Sequence, residues 1–377
     1  MKYCKLCLQN NLRPNIKFNK DGICPACTYQ SKLKNIDWDY RLEFLKEFVK
    51  EKLKNNKSQF DCLIGVSGGK DSTRQALWVR EKLKLKPLLV CFSYPPEQVS
   101  ERGVDNISNL INLGFDVVVL SGGPNTWKKM MQEGFLKFSN WAKSTELALF
   151  SSVPRIAVNY KIPLIFWGEN PSDQWGELKS RSNRGWNGNN IKNINTLKSG
   201  DMTWISRTKF KKDNLFIYKY PTKKEFLKNK LQIIYLGWFW KNWSLKSNAY
   251  YSIAYGLKIR DKKFINYGDI YGVSSLDEDW VTINQLIKYY KFGFGKASDY
   301  VNEDIRNKLI SRKLGVKIIK KYDSKFSKKI LKNFCDYIGI SEKFFWYHIK
   351  KNLNRNIFKV YKGKIIPKFN VGTDYIN

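Results

Sequence analysis

The sequence predicts an α/β fold built on a doubly wound parallel sheet, and two observations carry that prediction. Between residues 62 and 167, short apolar runs alternate with stretches of helical period, the order that produces parallel strands joined by helical crossovers. The first run, Cys62 to Val66, passes through Ser67-Gly68-Gly69-Lys70 directly into a helix opened by Asp71-Ser72-Thr73. A strand, a glycine turn and a helix N-terminus together form a cradle for an anion.

In chain order, the first thirty residues hold two cysteine pairs, Cys4-Lys-Leu-Cys7 and Cys24-Pro-Ala-Cys27. Two such knuckles fit a four-thiolate zinc site, and the role is structural because four protein ligands leave no open position. A disulfide framework is the alternative, and it needs an oxidising compartment. From Asp37 to Asn56 the spacing of Tyr40, Leu42, Phe44, Leu45, Phe48, Val49 and Leu53 predicts an amphipathic helix. After the cradle come a strand over 87–92, a helix over 97–113, a strand over 115–120, helices over 125–138 and 142–160, and a strand over 163–167. Residues 170 to 215 lose periodicity and fill with glycine, asparagine and serine, which predicts a lid or insertion. A strand over 233–239 and a helix over 247–257 follow, with Trp238, Trp240 and Trp243 clustered there. The division is a zinc ribbon or knuckle module (1–36), a linking helix (37–58), a nucleotide and substrate domain (59–323) and a small, mostly helical, basic C-terminal region (324–377).

In an open parallel sheet, ligands bind at the carboxyl ends of strands. That rule selects Ser67, Gly68, Gly69, Lys70, Asp71 and Ser72 for phosphate, with Phe92 and Ser93 after the second strand. It also selects Glu169 and Asn170 after the Trp167-Gly168 pair. Glu169 suits orientation of a nucleophile or binding of substrate, with a turn or helix-cap role as its plain alternative; for Phe92 the alternative is a core position. The loop is not a Walker loop, because Asp71 separates Lys70 from Ser72 and the Gly-x4-Gly spacing is missing.

The 377 residues carry a formal net charge of +35, 42% apolar residues and one histidine, His348. That charge favours phosphate-bearing ligands. The lysines are dispersed, and Lys, Asn, Ile, Phe and Tyr are abundant together as A/T-rich coding predicts, so nucleic acid is not the expected partner. His348, among Phe344, Phe345, Trp346 and Tyr347, reads as a partly packed residue of a surface helix, which argues against serine–histidine hydrolysis and histidine-ligated metals. No membrane span or signal-peptide core is visible, and the expected location is cytoplasmic.

The Ser-Gly-Gly-x-Asp-Ser loop resembles that of the ATP pyrophosphatases, whose fold is the adenine nucleotide alpha hydrolase-like type. The run from Lys288 to Arg306, with Gly293-x-Gly295, Lys296, Asp299, Asp304 and Arg306, narrows the likeness. Taken with the cysteine knuckles and Trp167-Gly168-Glu169-Asn170-Pro171, it makes the chain from Cys4 to about Asp323 resemble the N-acetyl sugar amidotransferases (PP-loop superfamily) of bacterial surface glycan biosynthesis. The resemblance implies that ATP activates an acetamido oxygen of a nucleotide-linked sugar, ammonia displaces AMP, and an acetamidino group results. It implies ATP and Mg²⁺, with Asp71, Lys70 and Glu169 catalytic, Phe92 and Ser93 beside adenine, and Glu169, Asn170, Lys296, Asp299 and Arg306 on the substrate. It also implies a separate glutaminase and a cyclase-like barrel subunit as the source of ammonia, since Cys62 and Cys91 lie on predicted strands with no histidine to activate them. The rival readings are a tRNA-modifying ATP pyrophosphatase and a non-catalytic zinc- and nucleotide-binding protein. Against tRNA thiolation stands the lack of any cysteine between Cys91 and Cys335.

Overall fold

Strands β1 (Cys62–Val66), β2 (Pro87–Ser93), β3 (Val117–Ser121), β4 (Leu164–Trp167) and β5 (Gln232–Tyr235) form one parallel sheet in the order β3-β2-β1-β4-β5. The computed structural model describes residues 1–182, 184–194, 196–205, 209–210, 214–262 and 267–375. The strand order reverses between β1 and β4, where Ile64 pairs with Phe166. This is the switch point at which a doubly wound sheet opens a crevice.

β1, β2, β4 and β5 read as largely apolar runs because both of their faces are covered, whereas the edge strand β3 leaves Val119 exposed. Ahead of the sheet lie α1 (Pro25–Lys32) and α2 (Trp38–Leu53), the latter capped by Asp37, which accepts from the Tyr40 amide. Helices α3 (Lys70–Lys82) and α4 (Glu101–Asn112) join α2 on one face, over Cys62, Ile64, Val66, Leu89 and Cys91. Helices α5 (Pro124–Phe138) and α6 (Ala142–Asn159) cover the other, over Leu63, Val90, Phe92 and Ile165. Alternate residues of each strand thus enter different cores. At Gly65 a Cβ would come within 2.7 Å of Val153 on α6, so a glycine is what lets that helix lie close over β1.

Within 170–215, the stretch whose composition predicts a lid or insertion, the described residues pack on the neighbouring surface. After α7 (Pro171–Gln174), Trp186 packs on Phe48 with ring centroids 4.9 Å apart, and Asn187 bridges Ile234 along the outer edge of β5. Ile191, Leu197 and Trp204 are buried on the α6 side. Segments 206–208 and 211–213, with Asn183 and Asn195, fall outside the described residues. The segment is a strap whose few large apolar residues, dispersed among asparagines and glycines, bury without a period. Short α8 (Lys223–Lys228) leads into β5, whose expected continuation to Phe239 is replaced by a 3-10 turn over Leu236–Trp238.

Beyond α9 (Leu245–Ala254) the chain crosses back to α4. The Ser100 amide donates to the Asp277 carbonyl at 2.8 Å, and Glu278, 3% exposed, accepts from the Val281 amide at 3.0 Å. Burial, helped by the charge of Asp277 and opposed by Arg260, pushes the Glu278 carboxyl up to about 8 from 4.5. The stability this group contributes is therefore complete below the unfolded value and lost as the pH rises through the folded one. Glu278→Gln should flatten the loss of Tm between about pH 4.5 and about pH 8, by on the order of 5 °C in a thermal melt series. An unchanged slope would assign that loss to other groups.

The C-terminal region stacks α10 (Val281–Phe292), α11 (Lys296–Arg306), α12 (Arg312–Tyr322), α13 (Lys328–Ile338) and α14 (Glu342–Lys351), the last three each capped by a serine. It ends in an unexpected hairpin of β6 (Phe358–Tyr361) and β7 (Lys364–Pro367). Its two turn residues, Lys362 and Gly363, both have positive φ, as the twist of a two-residue turn demands. His348 is more buried than expected, at 7% exposure: its Nε2 lies 3.0 Å from the Phe135 carbonyl and 3.1 Å from Ser139 Oγ, tying α14 to the end of α5. That position serves packing.

Candidate active site

The crevice at the β1/β4 switch point opens into a cavity of about 420 Å³. Its floor is the β1–α3 turn, from which Ser67, Gly69, Lys70, Asp71 and Ser72 line it. Gly68 does not. Its φ is +66°, and a Cβ there would meet Asn106 of α4 at 2.8 Å, so this glycine turns the chain and admits α4. The helix begins one residue earlier than expected, at Lys70.

Helix α9 holds the loop from behind. Ser252 Oγ donates to the Lys70 carbonyl at 2.6 Å, and Asn248 Nδ2 donates to Asp71 Oδ1 at 2.6 Å. Asn248 is itself fixed by Arg74, which lies over the Trp240 ring. The other Asp71 oxygen accepts from Lys70 Nζ. Burial works against the Lys70 ammonium, but Asp71, Glu169 and Glu303 together raise its pKa and hold it charged.

Glu169, at the end of β4, also faces the cavity. Burial first, and then the Asp71 charge, push its carboxyl up to about 7. Asn170 is turned away: its Oδ1 caps α7 by accepting from the Ser172 amide at 3.0 Å, and its Nδ2 donates to the Gly185 carbonyl at 2.7 Å. The plain helix-cap reading therefore describes Asn170 and does not describe Glu169. Phe92 lines an apolar recess with Val90, Leu149, Phe150 and Val153, and also stacks on Trp127 with centroids 5.3 Å apart. Ser93 stands outside the lining, its hydroxyl donating to the Tyr94 carbonyl at 3.3 Å.

The wall opposite the loop is α11, where Lys296, Glu303 and Arg306 share one face by the i, i+7, i+10 spacing and all reach the cavity. Asp299, on the same helix, pairs instead with Arg13 and with Lys288 at 2.8 Å. Its burial would raise its pKa, yet Lys288, Arg13 and Lys296 hold it well below the usual range. It braces the N-terminal module and does not open into the main cavity. Glu303 Oε1 accepts from the Leu245 amide at 2.7 Å, and burial raises its carboxyl. Among the described residues neither Lys296 nor Arg306 has a hydrogen-bonding partner, and Lys296 lies 4.9 Å over the Tyr300 ring.

Cys4, Cys7, Cys24 and Cys27 are buried with their sulfurs all within 4.8 Å of one another, and Cys4–Cys27 and Cys7–Cys24 are each 3.8 Å apart. A tetrahedral ion with metal–sulfur bonds of about 2.3 Å has edges of about 3.8 Å, so these residues fit a single metal ion. The Gln9 amide points at Cys7 Sγ and the Cys24 amide at Cys4 Sγ, bonds that favour the thiolate form. For Mg²⁺, the three carboxylates Asp71, Glu169 and Glu303 in one cavity supply the oxygen donors that a hard cation requires.

Sequence reasoning passed over Glu303 and Asn248. Helical spacing from Lys296 and Arg306 would have placed Glu303 on the cavity face. Asn248 gave no comparable signal, since a lone asparagine in an amphipathic stretch reads as surface.

Residues 260–371 match the family model described as LPS biosynthesis protein WbpG-like, C-terminal domain. No curated protein matches the chain. Among solved structures, the chain is similar to the NH3-dependent NAD synthetase of Campylobacter jejuni, with 20% identity, TM-score 0.27, and 37% of this chain and 59% of that one covered. It is similar to the NMN synthetase of Francisella tularensis, with 15% identity, TM-score 0.27, and 37% and 57% covered. The U34-tRNA thiolase NcsA of Methanococcus maripaludis, with its 4Fe-4S cluster, shows 13% identity, TM-score 0.31, and 72% and 80% covered. The chain thus spans less than two thirds of the first two proteins' lengths.

Proposed function

We propose, for a chain whose residues 260–371 match the C-terminal domain of a WbpG-like lipopolysaccharide biosynthesis protein, that the cavity exchanges the acetamido oxygen of a nucleotide-linked sugar for nitrogen at the expense of ATP. The observation that supports this reading is the meeting in one cavity of the Ser67–Ser72 loop with Lys296, Glu303 and Arg306, all three within the matched segment. Ser67, Gly69 and Ser72 take the pyrophosphate end of ATP, and the recess around Phe92 takes the adenine. Lys296 and Arg306 take the carboxylate or phosphates of the sugar nucleotide, as unpaired cations suit anions.

The amide oxygen attacks the α-phosphorus, the bond to the β-phosphate breaks, and the amide nitrogen sheds its proton to Glu169. Ammonia adds to the resulting imidate carbon, the carbon–oxygen bond breaks, and AMP carries the oxygen away. Mg²⁺ held by Asp71 would neutralise charge on the phosphates. Ammonia comes from a separate glutaminase with its barrel subunit. Burial raises the thiol of Cys62 well above its ordinary value and that of Cys91 to about 12, which suits neither to nucleophilic attack on glutamine. No helix among the described residues is long and apolar enough to cross a membrane.

The test is release of AMP and pyrophosphate from Mg-ATP and ammonium chloride, against a panel of nucleotide-linked acetamido sugars with bulk tRNA in parallel. Sugar-dependent AMP, with a product lighter by the difference between O and NH, is the expected result. AMP that depends on tRNA would transfer the cavity to RNA modification.

A further inference from the structure

The four-cysteine centre and the cavity share a wall. Helix α1 starts inside the second cysteine knuckle, and its Ala26, Tyr29 and Gln30 line the cavity. Ala26 and Arg306 also line a small recess on the other side, next to Gln9 and Arg13. Three contacts hold α11 to this module: Gln30 Nε2 donates to Asn307 Oδ1 at 3.1 Å, the Leu8 amide donates to Asn302 Oδ1 at 2.8 Å, and Ile305 packs on the cysteines. Arg306 thus lines both the cavity and the recess beside the knuckle residue Ala26, with no hydrogen-bonding partner among the described residues.

We propose that the four-cysteine centre is part of the substrate site: with a metal ion bound, its thiolates fix Arg306 at the cavity wall, and loading the centre raises the cavity's affinity for an anionic ligand. Four thiolates around one divalent ion leave net negative charge, and in a buried setting that charge acts over several ångströms. An ion-free centre of neutral thiols would give up this field and the tie that places α1. The inference rests on the cavity being the nucleotide site.

The experiment replaces the bound ion with Co²⁺, whose thiolate-to-metal charge-transfer band reports the charge next to the sulfurs. Arg306→Gln should keep one Co²⁺ per chain and move that band to longer wavelength, because a thiolate without its cationic neighbour gives up an electron more readily. UDP-N-acetylglucosamine, used as the sugar-nucleotide probe, should shift the band in the unsubstituted chain and not in R306Q. By calorimetry, UDP-N-acetylglucosamine affinity should fall about tenfold in R306Q and in the metal-free chain, the scale of lost outer-shell contacts. Arg306→Lys, which preserves the charge, should stay within about threefold. A band identical in R306Q and the unsubstituted chain, or equal UDP-N-acetylglucosamine affinity with and without metal, would overturn the proposal. If the fully loaded chain bound no UDP-N-acetylglucosamine, the sugar-nucleotide reading of the cavity would fail instead, while the R306Q band would still decide whether Arg306 and the sulfurs interact.

Discussion

Asp71→Asn should lower AMP formation by about two to three orders of magnitude without unfolding the chain. Asparagine preserves the shape and still accepts from Asn248 Nδ2 at Oδ1, the contact that aligns the loop with α9. It removes a full charge from the place where, on the proposed reading, the phosphates and Mg²⁺ would meet, and turns an amide N–H toward Lys70, which now receives from Asp71 the opposite charge next to it. Lys70 is only 7% exposed, so that loss is poorly screened. The measurement is pyrophosphate release at saturating Mg-ATP, with a Mg²⁺ titration to show that excess metal does not restore it. Turnover close to that of the unsubstituted chain would remove Asp71 from the mechanism.

Glu169→Gln should cost about a hundredfold in the same assay, and its signature lies in the pH profile. The Glu169 carboxyl, raised to about 7, is half ionised near neutrality. If it accepts the amide proton, the rate rises with pH as it ionises and levels off above that value. In E169Q this rising limb should vanish and leave a low, flat rate. A limb that persists in the variant would assign the titration to another group and reduce Glu169 to substrate binding.

The sheet was legible in the sequence because buried parallel strands advertise themselves as continuous apolar runs, and the Ser67–Ser72 turn because two glycines directly after such a run mark a tight passage from strand to helix. Four cysteines in two knuckles were legible for a similar reason: one residue type at fixed spacing has few uses. The strap at 170–215 was not, since its anchors Trp186, Ile191, Leu197 and Trp204 follow the contour of a neighbouring surface and obey no period. The hairpin at the end was missed although Lys362-Gly363 between two short apolar runs is a turn signal. Asn170 and Asp299 show the limit at the site: type and position put them with Glu169 and Lys296, but which way a polar side chain faces depends on partners distant in sequence, here Gly185 for one and Arg13 for the other.

Asn106 of α4 touches both ends of the argument. Its Cβ fills the place that a side chain at residue 68 would take, and its amide group binds the Lys258 carbonyl at 3.0 Å and the Lys258 amide at 2.8 Å. Two residues on begins the segment that matches a family of its own. Asn302 reaches back to Leu8, and Asp374 accepts from the Tyr3 amide at 2.7 Å. The contacts of that segment therefore cross its own limit: divided near residue 260, each fragment would expose the surface on which the other closes.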